Sequence, residues 1–256
     1  MKVAKVQITD EIKDILNQGS FDGLKYVLKG NIDRPTYVKV DKVLKAIGAK
    51  WNTKQKGHLF PDEVSLKAFK EALGNGYVVD KKKSYGQFDT PVEIAKKLVE
   101  LACLEEGNSV LEPSAGIGRI ADEISNSGVN VDLYLVDIDP DRVKILSEKF
   151  DPSGIFLDDF IRFSGNCPEL FDRIVANPPF SNGEDAKHVM AMLDILEEGG
   201  ILVSVMSSAI SFRENGPYKQ LKDKLKNLDH EIIDLSDGTF KDEGTNVNTC
   251  ILKVRN

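Results

Sequence analysis

Cysteine is scarce and scattered: Cys103, Cys167 and Cys250 are the only three in 256 residues, and no two form a CxxC pair. That argues for a reducing compartment, read here as the cytoplasm, and against a structural zinc site. Histidine is equally sparse. His58, His188 and His230 show no metal-ligand spacing, so no metal is expected. No apolar run approaches the roughly 18 residues of a membrane span. The opening MKVAKVQITDEIKD lacks the apolar core of a signal peptide, so no membrane partner is expected. Internal repeats and low-complexity tracts are missing as well. What remains is a composition 41% hydrophobic and 29% charged, that of a soluble globular chain long enough to bury a sizeable core.

The net charge of −7 hides an asymmetry. Residues 1–85 hold 17 Lys and Arg against 10 Asp and Glu, and the remainder holds 17 against 31. A basic front on an acidic body suggests two modules with different partners. From Arg34 to His58 the cations Arg34, Lys39, Lys42, Lys45, Lys50, Lys54 and Lys56 face a single acid, Asp41. Lysine-rich surfaces usually serve solubility. Trp51, the only tryptophan, lies among these lysines, which points toward a polyanion whose bases can stack. Lys50, Trp51, Lys54 and Lys56 are therefore the candidate nucleic-acid contacts.

Residues 1–80 read as a small basic α+β module. Val40, Val43, Leu44 and Ile47 fall on one face of a helix capped by Gly48, and VSLKAFKEAL (64–73) is a second helix stopped by GNG. DKKKS (80–84) reads as a linker. A second module, residues 86–256, alternates strands with helices. TPVEIAKKLVELA (90–102) is expected as a helix with Thr90 as N-cap and Pro91 at its first position. NSVLEP, VDLYLVDID, GIFLDDF, FDRIVANPPF and ILVSVMSS read as strands. IGRIADEISNSG, DPDRVKILSEKF, EDAKHVMAMLDILEEGG and 217–227 read as helices, the second of them capped by Asp139. Continuously apolar strands separated by helices predict an α/β, Rossmann-like, doubly wound and mostly parallel sheet. EIIDLSDGTF and NTCILKV lie too close together for a helical crossover and predict an antiparallel pair at the sheet edge.

Ligands of such sheets bind beyond the carboxyl ends of the strands. Four successive strands deliver Glu112, Asp137, Asp159 and Asn177 to that rim, and any acid among them could instead cap a helix. The turn Ala115 to Ala121 contains GxGxxA, and Asp137 lies 21 residues past Gly116, which satisfies a dinucleotide fingerprint. Glu112 speaks against a pyrophosphate there. A carboxylate beside a diphosphate costs on the order of 1–4 kcal/mol near a surface, whereas a cofactor bearing an ammonium and a sulfonium would gain from it. At Ala176 to Ser181 the strand breaks into ANPPFS. Two prolines remove two donors and fix two φ angles, so the turn is stiff.

LEPSAGIGRIA, the acid-ended LYLVDID, LDDF and ANPPF, in this order over Gln87 to Val254, resemble the motifs of class I S-adenosylmethionine-dependent methyltransferases. NPPF with QFDTP upstream is similar to the amino-group (adenine-N6) DNA methyltransferases in particular, among them restriction–modification enzymes. GTFKDEGTNVNTCILKV resembles their closing hairpin. The resemblance implies S-adenosylmethionine as cofactor. It places Phe88, Thr90 and Pro91 at the methionine end, and Glu112 with the backbone of Ser114, Ala115, Gly116 and Gly118 around the amino-acid part. Asp137 would take the ribose hydroxyls, Ile138 and Phe160 would flank the adenine, and Asp159 would bind its amine.

For catalysis the same resemblance implies Asn177, Pro178, Pro179 and Phe180. The Asn177 side-chain oxygen and the Pro178 carbonyl would accept the two hydrogens of an exocyclic amine, and Phe180 would stack on a flipped base. A C5-cytosine mechanism would need a cysteine in this turn, and Cys167 lies ten residues away. After Phe180 the last strands use up the chain, so the recognition domain usual with this motif order finds no room. Specificity is then either relaxed or supplied by the basic module. That module looks like one found ahead of methyltransferases in phage and mobile elements. Its bland alternative is a structural cap. DNA is favoured over RNA as partner. NPPF-type turns also serve methyltransferases of RNA-base amino groups, and a near variant serves those of protein glutamine.

Overall fold

A computed structural model describes residues 5–61, 63–79, 88–241, 243, 245 and 247–256. The chain divides into two compact units, Met1–Gln87 and Phe88–Asn256. The expected linker at 80–84, and Gln87 of QFDTP, lie outside the described residues.

In the first unit β1 (Lys5–Gln7) pairs antiparallel with β6 (Tyr77–Val79). A four-stranded antiparallel sheet has the order β2 (Ser20–Asp22), β3 (Lys25–Val27), β5 (Gly57–Leu59), β4 (Lys50–Asn52). The described helices of this unit are α1 (Asp10–Gln18), α2 (Arg34–Ala46) and α3 (Glu63–Asn75). α2 begins where Asp33 accepts the Thr36 N–H at 3.0 Å. It buries Val40, Val43 and Leu44, and the chain leaves it through Gly48 at φ +92°, a conformation that favours glycine.

The second unit holds a seven-stranded sheet in the order β12-β13-β11-β10-β7-β8-β9. Its strands are β7 (Ser109–Pro113), β8 (Asp132–Asp137), β9 (Gly154–Leu157), β10 (Phe171–Ala176), β11 (Leu196–Ser207), β12 (Asp229–Asp234) and β13 (Thr249–Arg255). β9 through β11 are parallel, and β13 runs antiparallel to both β11 and β12. Strand order reverses between β7 and β10, which sets a crevice at their carboxyl ends. Among the described residues the helices of this unit are α4 (Val92–Ala102), α5 (Arg119–Asn126), α6 (Pro140–Lys149), α7 (Phe160–Asn166), α8 (Glu184–Asp194), the four-residue α9 (Ala209–Phe212) and α10 (Gly216–Leu225).

Alternate residues of the central strands enter opposite cores. Val110, Leu135, Val175 and Val203 pack with Ala95, Leu98, Ile120 and Ile124 of α4 and α5. Leu111, Val136, Ile174 and Leu202 pack with Val189, Met192 and Leu221 of α8 and α10. Both faces are covered, which is why these strands read as unbroken apolar runs.

Three expectations need correction. α4 starts one residue late, with Pro91 at its cap position and no side-chain cap bond, so Thr90 is not the N-cap. EDAKHVMAMLDILEEGG ends as a helix at Asp194, and the strand begins already at Leu196. There a register shift between Phe171 and Arg173 absorbs the polar Glu197 to Gly200. GIFLDDF stops being strand at Leu157, because Asp159 opens the helix α7. Among the described residues no helix is long and apolar enough to cross a membrane.

Candidate functional site: a glycine loop beside an asparagine–proline turn

β7 ends in a loop whose backbone is left-handed at Ser114 (φ +65°), Gly116 (φ +62°) and Gly118 (φ +79°). Close packing adds to this constraint. A Cβ on Gly118 would lie 2.4 Å from the Phe150 ring, so α6 can approach only a glycine. The loop is tied down from β8: Asp137 accepts the Gly116 N–H at 2.7 Å and the Asp139 N–H at 2.8 Å. Asp139 in turn accepts the Asp141 N–H at 3.1 Å and caps α6, as expected.

Asp137 is thus not free. It holds the loop, and its remaining lone pairs are what a ligand could use. Burial pushes its carboxyl above the usual range, against the pull of the two amides and Arg142. Glu112, 2% exposed, sits behind the loop. Its Oε2 has no hydrogen-bond partner among the described residues. Burial raises its pKa well above 4.5; the Ala121 N–H at the start of α5 pulls it back, and the nearby Asp137 charge raises it further. The region behind the glycines is therefore short of positive charge.

In front of the loop a narrow cleft is lined by Phe88, Asp89, Thr90, Ser114, Ala115, Gly116, Ile117, Arg119, Arg142 and Asn177. Of the expected cofactor ligands it gathers Phe88, Thr90, Ser114, Ala115 and Gly116. Glu112, Asp137, Ile138 and Asp159 do not line it. Arg142 and Asp89 form an ion pair at 3.2 Å. A Cβ on Gly116 would lie 2.9 Å from the Arg142 guanidinium, so the pair lies directly over the loop. Asp159 accepts the Ile161 and Arg162 N–H groups at 3.1 and 3.3 Å and serves as the α7 cap. Phe160, 3% exposed, meets the His188 ring at 5.4 Å. Burial lowers that imidazole's pKa to about 4, so it is neutral at pH 7.

Asn177 stands at the end of β10, beside the cleft. Its side-chain Nδ2 donates to the Phe88 carbonyl at 3.3 Å and to Thr90 Oγ1 at 3.0 Å. A carbonyl oxygen can only accept, so the amide cannot be flipped. Both donor hydrogens are spent on the protein. Oδ1 is left without a partner among the described residues. An amide held in this way presents a pure acceptor. Pro178 and Pro179 then stiffen the turn, with Pro178 buried.

Phe180 is 8% exposed, and its ring meets Phe240 edge-on at 5.9 Å and 80°. The turn passes into a short 3₁₀ segment, Ser181–Gly183, and then α8. Asp185 of α8 accepts from Ser207 N at 2.9 Å and from Tyr218 Oη at 2.9 Å, which fixes the whole segment to β11 and α10. Phe240, Asp89, Arg142 and Asp185 are the residues that sequence reasoning missed. Asp89 carried a local signal, its place inside the FDTP stretch, and Phe240 lay inside GTFKDEG. Among the described residues no cluster of His, Cys, Asp and Glu could hold a metal.

In the first unit Lys50, Trp51, Lys54 and Lys56 come together on β4 and the turn that follows it. All four are exposed, Trp51 by 48%. The indole meets His58 edge-on at 5.1 Å, and His58 is fully buried with Nε2 3.4 Å from Asp41. The tryptophan is thus anchored on one edge and open on the other.

Residues 84–241 match the family model described as the methyltransferase small domain. The modification methylase CviBIII of Paramecium bursaria Chlorella virus NC1A is 30% identical over 202 residues, 69% of this chain and 51% of that protein. The type II methyltransferase M.HincII of Haemophilus influenzae is 34% identical over 39% of this chain and 18% of its own. A tRNA (guanine(6)-N2)-methyltransferase of Thermus thermophilus is 37% identical over 35% of this chain and 28% of its own. The chain therefore spans about half, or less, of the length of these relatives. Among solved structures the M protein of the type I restriction enzyme EcoKI superposes with a TM-score of 0.56 at 16% identity, over 74% of this chain and 50% of that one, a likeness of fold. With the family model covering most of the catalytic unit, the chain belongs to the methyltransferase small domain family.

Proposed function

We propose that this protein transfers a methyl group from S-adenosylmethionine to the exocyclic amino group of adenine in DNA. The observation that carries the reading is the locked amide of Asn177, with both Nδ2 hydrogens spent and Oδ1 left as an acceptor. The lone pair of an adenine amine is delocalised into the ring, so the nitrogen is a poor nucleophile. Acceptors at Asn177 Oδ1 and the Pro178 carbonyl would take its two hydrogens, favour a pyramidal nitrogen and aim the lone pair outward. No strong general base is needed, since the proton can leave after transfer.

The residues around the glycine loop fit a cationic, adenosine-bearing cofactor. Glu112 and Asp137 are buried carboxyls with raised pKa values, and Glu112 holds an orphaned oxygen. S-adenosylmethionine would supply there an electrophilic methyl on a sulfonium. Phe88, Thr90 and the backbone of Ser114 to Gly118 would hold it, with Asp137, Ile138, Asp159 and Phe160 on the adenosine side. Phe180 is covered by Phe240, so stacking on a flipped base would require the two rings to part.

The likeness to a modification methylase and a type II methyltransferase supports methyl transfer as the activity, and adenine in DNA is the reading drawn from the asparagine–proline turn. An amino group on an RNA base is the second reading, supported by the Thermus relative that acts on a guanine amine of tRNA. The experiment is transfer of radiolabelled methyl to duplex DNA, single-stranded DNA, RNA and protein in parallel, with the modified base identified. N6-methyladenine in DNA is expected; label in RNA or protein alone would overturn the DNA reading.

The basic module would supply nucleic-acid affinity that the acidic catalytic unit lacks. Reversing Lys50, Lys54 and Lys56 to Glu is expected to weaken duplex binding by more than about tenfold at 50 mM salt and to flatten its salt dependence. An unchanged slope of log affinity against log salt returns those lysines to solubility.

A further inference from the structure

Phe212 is the most exposed large apolar residue among those described, at 70%. It ends α9, in the segment Ser208–Gly216 that leaves the carboxyl end of β11. β11 runs parallel beside β10 with Ser204 opposite Ala176, so this segment emerges on the same rim as the Asn177 turn, one strand away. The segment is clamped at both ends to one group. Asp185, fully buried, accepts from Ser207 N before it and from Tyr218 Oη after it. Pro217 also packs on the turn itself: a Cβ on Gly183 would lie 3.3 Å from its ring. An apolar ring is thus held out in solvent on a rigid support next to the candidate catalytic turn.

The nearby charges are of both signs, and the acid among them, Glu214, is paired with Lys222 at 2.6 Å. Arg213 follows Phe212, and its guanidinium lies 5.8 Å over the Tyr218 ring. Arg213, Arg119 at the start of α5, and Lys241 beside Phe240 are exposed and make no ion pair among the described residues. Elsewhere in the unit Lys149, Arg162, Lys187 and Lys224 are paired with carboxylates, whereas Lys97, Lys219, Lys253 and Arg255 make no ion pair among the described residues. Arg213 next to the exposed ring, Arg119 lining the cleft beside Asn177 and Lys241 next to Phe240 suit a phosphate backbone flanking an apolar insertion.

We propose that Phe212 is the wedge that enters a nucleic-acid duplex and fills the space left when the target base is turned out toward Asn177. The inference rests on the amino-group methylation of duplex DNA proposed above and adds what that reading lacks. A base cannot reach the cleft while it is stacked and paired, and unstacking costs a few kcal/mol per step. An apolar side chain inserted between base pairs recovers part of that stacking. Phe180 and Phe240 are both buried, so neither is available for it. Phe212 is. It touches no reacting atom and acts as a positioning residue.

The test needs the target site, obtained by mapping the methylated adenines that the wild-type enzyme leaves in unmethylated plasmid DNA. Two duplexes are then compared, one fully paired and one with an abasic site opposite the target, where little has to be opened. Phe212→Ala is expected to lose tenfold or more in kcat/KM on the paired duplex and less than threefold on the abasic one, with an unchanged melting temperature. Phe212→Trp should restore most of the loss. Equal losses on both duplexes, or none on the paired one, would overturn the wedge while leaving the methylation reading intact. A wild-type enzyme that labels no DNA sinks that reading and the wedge with it.

Discussion

Asn177→Ala is expected to slow methyl transfer by about 10²–10³-fold, the range found when one preorganised polar group is removed from a reacting centre. Binding of S-adenosylhomocysteine should stay within about threefold. Such a split, in kcat and not in affinity, marks an interaction made with the reacting nitrogen and not with the cofactor. The geometry grades the effect. Thr90 Oγ1 and the Phe88 carbonyl hold Nδ2 at 3.0 and 3.3 Å, and Thr90 is 7% exposed, so valine can replace it with little change of volume. Thr90→Val removes one of two anchors, a net loss of roughly 0.5–1.5 kcal/mol, and should slow transfer about tenfold or less. Asn177→Asp offers an acceptor but cannot donate to Phe88 and Thr90, so it should resemble alanine more than asparagine. Stopped-flow or single-turnover transfer with each variant, beside calorimetric titration of the product cofactor, decides the matter. Undiminished turnover in Asn177→Ala would remove the role assigned to the turn.

The fold was legible where its signals are local. Asp139-Pro140 marked the start of α6, Gly128 the end of α5, and the apolar runs of β7, β8, β10 and β11 marked a sheet covered on both faces. Errors arose where a local signal had a distant use. Thr90 before Pro91 has the form of an N-cap, but its hydroxyl is taken by Asn177, 87 residues on. Glu197 to Gly200 have the polarity of a helix end, yet a shifted register against β10 makes them the start of a strand. Asp137 was expected to serve a ligand alone. In the structure it bonds a glycine amide 21 positions earlier. Asp185 looks like an ordinary first-turn acid and is in fact the joint between α8, β11 and α10. Periodicity and capping report neighbours in the chain. They do not report pairings closed by the sheet order, and the candidate site consists largely of such pairings.

Glu112→Gln is expected to make the ligand-free protein more stable and the cofactor complex weaker. Glu112 is 2% exposed, its Oε2 lacks a partner among the described residues, and burial holds its pKa well above 4.5. A carboxyl whose folded pKa is raised binds its proton more tightly in the folded state. The wild-type protein therefore loses stability as pH rises from about 4.5 through the raised value, and loses none from this source below about 4.5. Glutamine keeps an acceptor for the Ala121 N–H and carries no charge, so the variant lacks this slope. At pH 8 the gain should be on the order of 1–3 kcal/mol, the cost of an unsatisfied buried group, with about 2–4 °C of melting temperature per kcal/mol. At pH 5 the two proteins should differ by less than at pH 8. A cation seated before the glycine loop reverses the balance, because the ionised carboxylate then has something to face. S-adenosylhomocysteine, which carries the ammonium, should raise the melting temperature of the wild type and bind Glu112→Gln roughly 30-fold more weakly, about 2 kcal/mol. NAD should stabilise neither. Its diphosphate would have to sit against two buried carboxyls, and stabilisation by NAD alone would refute the cationic site. Thermal melts at pH 5 and pH 8, each with and without the two ligands, test the apo penalty and the ligand preference separately.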